Sequence, residues 1–175
     1  VFNHCGSFNK WMDRERIYEK QEGYPKGAYV SADSPYRNFF SFNDPDKWPY
    51  NPTYDGWWAH DTLPKLNYEG SRELYDYILH VGQKWVSAPY NVDGWRLDVA
   101  ADLGHSNEFN HQFWKDFRKA VKEANPNAII LAEHYGNPEG WLKGDEWDTV
   151  MNYDAFMEPL TWFLTGMEKH SDEYR

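Results

Sequence analysis

The sequence predicts an α/β protein built on part of a (β/α)8 barrel, and three observations carry that expectation. Predicted helices and strands alternate from residue 71 onward, the order that yields a parallel sheet. Strands of buried character end on carboxylates, at Asp98 and Glu133, as barrel strands do at the rim where catalytic groups gather. No Gly-rich turn follows any strand, which leaves the doubly wound sheet as the weaker alternative.

The elements follow in order. VFNH (1–4) reads as the end of a strand. Residues 5–66 are irregular and rich in Tyr, Trp, Pro, Asn, Asp and Gly, with only a short helix expected near Phe8–Glu19. A loop this long in a compact domain usually carries function. Ser71–Trp85 places Leu74, Tyr77, Ile78, Val81 and Trp85 at helical spacing, with Ser71 as N-cap. In NVDGWRLDVA (91–100), Trp95, Leu97 and Val99 alternate with Gly94, Arg96 and Asp98, which is strand spacing. Ser106–Ala124 is helical, with Phe109, Phe113, Phe117 and Val121 every four residues. NAIILAE (127–133) is expected as a buried strand and WDTVMNY (147–153) as another. A last helix is expected over Asp154–His170, with Pro159 tolerated in its first turn.

The 175 residues carry a formal net charge of −10, which disfavours nucleic acid or an anionic membrane as partner. No apolar run approaches the roughly 20 residues of a membrane-spanning helix. The single cysteine, Cys5, cannot form an internal disulfide and leaves the compartment open, cytoplasmic or secreted. Nothing in the sequence fixes the oligomeric state. Aromatic residues make up 19% of the chain, including 10 Trp and 13 Tyr. Flat aromatic faces suit sugar rings, but they suit core packing equally well, so the motifs must decide.

The deciding constellation is Asp98 and Glu133 at the ends of successive strands. Neighbouring strands lie about 4.8 Å apart, so both carboxylates can face one cavity. Two carboxylates across a small gap are the equipment of glycoside hydrolysis, one attacking the anomeric carbon and the other protonating the leaving oxygen. Arg96 shares a strand face with Asp98 and would keep it ionised, as a nucleophile requires. Glu133 has no cation beside it in sequence other than His134, which suits it to carry the proton. His4 closes an earlier strand, and Trp57 and Trp58 in the long loop are candidate sugar platforms. His105 and His111 are off register for a metal pair and read as surface residues. Cys5 beside His4 is a poor Cys–His nucleophile, because sequence neighbours on a strand point apart.

These segments resemble the α-amylase superfamily, glycoside hydrolase family 13. DGWRLDVA is similar to its second conserved region, ILAEHYG to its third, and VFNH to the end of its first (D-x-V-x-N-H). LPKLN (63–67) resembles its fifth region as found in neopullulanases, cyclomaltodextrinases, maltogenic amylases and type II amylopullulanases. The resemblance implies Asp98 as nucleophile, Glu133 as general acid/base, Arg96 as the nucleophile's partner, and His4 as a ligand of the sugar at the cleavage subsite. It implies barrel strands three to six over residues 1–4 and 67–175, with residues 5–66 as a loop domain inserted after the third strand. It places a third catalytic carboxylate beyond Arg175, so the chain is expected to be an internal, inactive fragment. It implies an α-glucan oligo- or polysaccharide substrate, cleaved at α-1,4 or α-1,6 bonds with retention of configuration. No cofactor is required by the resemblance, although Asn3 matches a position that ligates calcium in many α-amylases. VAAD after Asp98 departs from the VANE of many neopullulanase-type enzymes, which leaves acceptor-side specificity open. A transglycosylase using the same site, and a non-catalytic glucan-binding relative, are the alternatives; the presence of both carboxylates favours the enzyme.

Overall fold

The computed structural model describes residues 1–166 of the chain. Its regular part runs in the order α1 (Arg72–Val86), β1 (Gly94–Leu97), α2 (Asn107–Ala124), β2 (Ile129–Ala132), β3 (Thr149–Val150) and α3 (Glu158–Thr165). The three strands form one parallel sheet in the order β1-β2-β3. Gly94 pairs with Ile129 and Leu97 with Ala132; Ala132 then pairs with Val150. β1 and β2 are parallel and joined through α2, as in a partial (β/α)8 barrel, and β3 adds to the other edge of β2 through a stretch without a helix.

Both long helices start where a serine side chain satisfies an orphan backbone donor. Ser71 Oγ accepts from Leu74 N at 3.2 Å, and Ser106 Oγ from Phe109 N at 3.1 Å. Their apolar stripes bury Leu74, Ile78 and Val86 on α1, and Phe113, Phe117 and Val121 on α2. The helices pack closely at Gly82, where a Cβ would stand 2.7 Å from the Phe117 ring. The sheet's helix-facing side carries Leu97, Ile130 and Ala132, all buried. Trp95 joins them, its indole donating to Gly82 O at 3.0 Å and its ring packed against Phe117.

Four expectations are corrected. Residues 1–4 are not a strand of the sheet; His4 instead makes an isolated antiparallel bridge with Lys65. Phe8–Glu19 is a run of turns. Asp13 causes this: its backbone is left-handed (φ 51°) and its buried carboxylate takes the N–H groups of Ile17, Tyr18 and Glu19. A side chain that captures backbone donors in this way competes with helix formation. The strand over 127–133 is buried on one face only, Ile129 being 54% exposed. The last helix is split: Tyr153–Met157 forms a π-helical turn before α3, and the predicted stretch to His170 lies partly outside the described residues.

The irregular segment packs into the same core as the helices and sheet, contributing Met12, Ala28, Phe39, Phe40 and Tyr54. Its two ends run side by side, with Cys5 N donating to Pro64 O and Leu66 N to Asn3 O, both at 3.0 Å. Among the described residues no helix is long and apolar enough to cross a membrane.

Candidate active site

Period-two alternation puts Arg96 and Asp98 on the sheet face opposite Leu97, and Leu131 and Glu133 on the face opposite Ile130 and Ala132. Register then decides proximity. Leu97 pairs with Ala132, so Asp98 and Glu133 each follow directly on a paired residue at the C-terminal end of its strand. Glu133 N donates to Leu97 O at 2.8 Å, which continues the ladder up to the carboxylates.

Arg96 lies between the two acids. Its Nη1 donates to Asp98 Oδ1, and its Nη2 reaches Glu133 Oε1 at 2.9 Å. Glu133 has no cation beside it in sequence other than His134, and the fold supplies one, Arg96, from the adjacent strand. Glu133 Oε2 accepts from Val99 N at 3.0 Å. Val99 is left-handed (φ 42°, ψ 46°), a costly conformation for a β-branched residue, and it immediately follows Asp98. Tyr153 donates its hydroxyl toward Glu133 Oε1 at 3.3 Å.

Burial alone would raise the Asp98 pKa. Its hydrogen bonds with Arg96 and Glu133 and the charge of Arg96 outweigh that, and hold the carboxyl below the usual aspartate value.

The carboxylates open into a cleft of about 620 Å3, lined by Trp57, Trp58, Asp98, Val99, Ala101, Asp102, Glu133, His134 and Tyr135. Trp57 is fixed by its indole N–H donating to Asp102 Oδ2 at 2.7 Å and by stacking on His4 (5.0 Å, 15°). Trp58 is left 77% exposed. His4 is buried behind Trp57, and burial lowers its pKa against the opposing pull of Asp98. His134 packs against Trp141 at 5.0 Å.

The structure thus brings together Asp98, Glu133, Arg96, His134, Trp57, Trp58 and, one layer back, His4. Asn3 stands apart from the cleft, buried, with its Oδ1 unpartnered. That oxygen would suit calcium, but calcium takes six to eight oxygens. Among the described residues no group of three His, Cys, Asp or Glu could hold a metal.

His105 pairs with Glu69 at 3.1 Å. His111 is only partly exposed, bound to Glu146 at 2.9 Å and stacked on Trp141, rather than a plain surface residue. The Cys5 thiol is pushed up to about 12 by burial, which leaves it protonated and unfit as a nucleophile.

Sequence reasoning missed Tyr135, Tyr153 and the Val99 N–H. All lie past strand ends, where the period-two rule no longer says which way a side chain points.

The family model described as alpha amylase, catalytic domain, matches residues 1–170. A cyclomaltodextrinase of Geobacillus thermopakistaniensis (strain MAS1) is 36% identical over 93% of this chain and 24% of its own length. Neopullulanase 2 of Thermoactinomyces vulgaris is 33% identical over 99% of this chain and 26% of its own. Among solved structures, the type III pullulan hydrolase from Thermococcus kodakarensis superposes with a TM-score of 0.70 at 32% identity, covering 93% of this chain and 25% of that one. Ligand-free cyclic α-maltosyl-(1→6)-maltose hydrolase from Arthrobacter globiformis gives 0.73 at 31% identity, covering 95% and 33%. The chain spans about a quarter of the length of these curated relatives. With a match running over nearly all its residues, the chain belongs to the α-amylase catalytic-domain family.

Proposed function

We propose that the protein containing this chain is a retaining α-glucan hydrolase, acting on α-1,4 and α-1,6 glucosidic bonds of the kind found in pullulan, cyclodextrins and starch. The observation that carries the reading is one guanidinium, Arg96, holding Asp98 and Glu133 together at successive strand ends on the floor of an aromatic cleft. Asp98 is the acid held in its charged form, which suits the nucleophile, and the proton-carrying role falls to Glu133. Asp98 attacks the anomeric carbon as the glycosidic C–O bond breaks, and Glu133 gives its proton to the departing oxygen. Water then attacks the glycosyl-enzyme, Glu133 takes its proton, and Asp98 is released. Contact of both carboxyls with one guanidinium favours the close spacing of retaining enzymes, about 5–5.5 Å, over the wider gap that an inverting water needs.

In this reading His134 contacts the sugar, Trp57 and Trp58 supply its stacking faces, and His4 backs the Trp57 ring from one layer behind. Residues 5–66 form an inserted loop domain, and the described residues from 67 onward belong to the partial (β/α)8 barrel. The paired ends of that segment support the division.

The test is product analysis of the full-length protein on starch, pullulan and cyclodextrin, with the first product's anomer followed by NMR. An inverted first product, or hydrolysis undiminished in Glu133→Gln, would overturn the reading.

A further inference from the structure

We propose that Tyr153 is a positioning residue for the Glu133 carboxyl, clamped in place by Tyr135. The inference rests on the acid/base reading of Glu133.

The geometry is as follows. Tyr153 Oη stands 3.3 Å from Glu133 Oε1 and 3.4 Å from Met151 Sδ. A phenol has one proton to give, and a carboxylate is a far better acceptor than a thioether or the neighbouring Tyr135 hydroxyl, so the proton goes to Glu133. The Tyr153 ring lies parallel to that of Tyr135, with centroids 4.2 Å apart and 5° between planes. Tyr135 follows the end of β2, and Tyr153 follows the end of β3. The stack therefore ties the two strand ends together on the side of Glu133 away from β1. A π-helical turn begins at Tyr153, a local distortion common at functional sites. The phenol is pushed up to about 12 by the neighbouring Tyr135 hydroxyl, by partial burial and by the charge of Glu133, so it remains a donor through neutral pH.

The need for such a residue follows from the other contacts. Glu133 Oε1 is also held by Arg96 Nη2, on the guanidinium that binds Asp98. Arg96 alone draws this oxygen toward the nucleophile. Tyr153 draws it from the opposite strand, and the balance fixes where the acid's proton is presented. General acid catalysis depends on that placement.

The experiment separates steps that need the acid from steps that do not. In the full-length protein, Tyr153→Phe keeps the stacked ring and removes the hydroxyl. Two substrates are compared: a maltooligosaccharide, whose leaving sugar oxygen must be protonated, and α-maltosyl fluoride, whose fluoride departs without protonation. We expect kcat/KM on the maltooligosaccharide to fall about tenfold, a part of the roughly 10²–10⁴-fold that a general acid supplies, with less than about a twofold change on the fluoride. Tyr135→Ala, which loosens the clamp and removes the hydroxyl beside the Tyr153 phenol, should show the same selectivity at smaller amplitude. An equal loss on both substrates means a merely structural role and overturns the proposal, as does no loss on either. Glu133→Gln is the control. If it shows the leaving-group dependence and Tyr153→Phe does not, the positioning role alone fails; if Glu133→Gln lacks it, the acid/base reading falls and this inference with it.

Discussion

Arg96 Nη2 stands 2.9 Å from Glu133 Oε1 across the β1–β2 pair, while Nη1 of the same guanidinium binds Asp98. Two carboxylates are thus spaced by one rigid, planar cation. Lysine offers a point charge on a flexible stem and cannot hold that fork. Arg96→Lys should therefore lower kcat by about tenfold or more, and Arg96→Ala further, the fork being a geometric device rather than a simple charge. Stability should move little. The Arg96 side chain is 43% exposed, and ion pairs so exposed contribute about 0–1 kcal/mol. Steady-state kinetics beside thermal melts would check both halves; a large loss of stability with unchanged turnover would contradict the assignment.

The carboxylates themselves make the sharpest case. Asp98→Asn and Glu133→Gln are nearly isosteric, and both residues are partly exposed at strand ends, so the fold should survive. Each should lose at least about 10²-fold in turnover, the scale of an acid–base contribution alone. Near-native rates in either variant would remove that residue from the mechanism.

Much of this site was legible in the sequence, for a physical reason. Within a strand, alternation fixes which side chains share a face, so Arg96 and Asp98 could be grouped before any fold was seen. Ser71 likewise marked the helix start that the structure shows, because a hydroxyl just ahead of an apolar-periodic run has one favourable task there. The contact of Arg96 with Glu133 was not legible, since it depends on cross-strand register, and neither was Tyr153, which lies beyond the end of β3. The helix expected over Phe8–Glu19 failed on one residue. Apolar spacing gave no sign that Asp13 would turn left-handed and bind three backbone donors with its own carboxylate.

His4 and Asp98 predict a pH dependence of stability whose signs agree. The folded-state pKa of His4 is lowered by burial, so below the ordinary histidine value of 6.5 the unfolded chain binds the extra proton more readily. Stability should therefore decline as pH falls through and below that value. Asp98, lowered in the folded state, adds stability above its ordinary value of 3.8 and loses it as pH falls through the depressed folded value. Denaturant unfolding of the full-length protein and of His4→Gln, from about pH 7.5 down to about pH 5, isolates the first part. The native protein should lose more stability over that range than the variant; parallel curves would show that His4 is not buried in its neutral form.

Gly94 opens β1 opposite Ile129 in the register that places the two acids side by side. A Cβ on Gly94 would stand 2.1 Å from Ile129 O and 2.6 Å from Ile129 N. Both are backbone atoms of β2, not the movable end of a side chain. Ile129 N already donates to Asp93 O at 2.8 Å, so β2 cannot recede there without breaking the ladder. Gly94→Ala should then destabilise the protein by about 1–3 kcal/mol, the range for forcing an extra carbon into packed structure. The same displacement propagates along a pair only four residues long, at whose far end Asp98 and Glu133 are spaced. Turnover should fall together with stability, even though residue 94 lies at the opposite end of the strand from the substrate cleft. Chemical denaturation paired with kcat at a temperature well below unfolding would check this. An unchanged unfolding midpoint would mean that the strands do not approach so closely, and a stability loss with intact kcat would mean that the spacing of the acids is set by Arg96 alone.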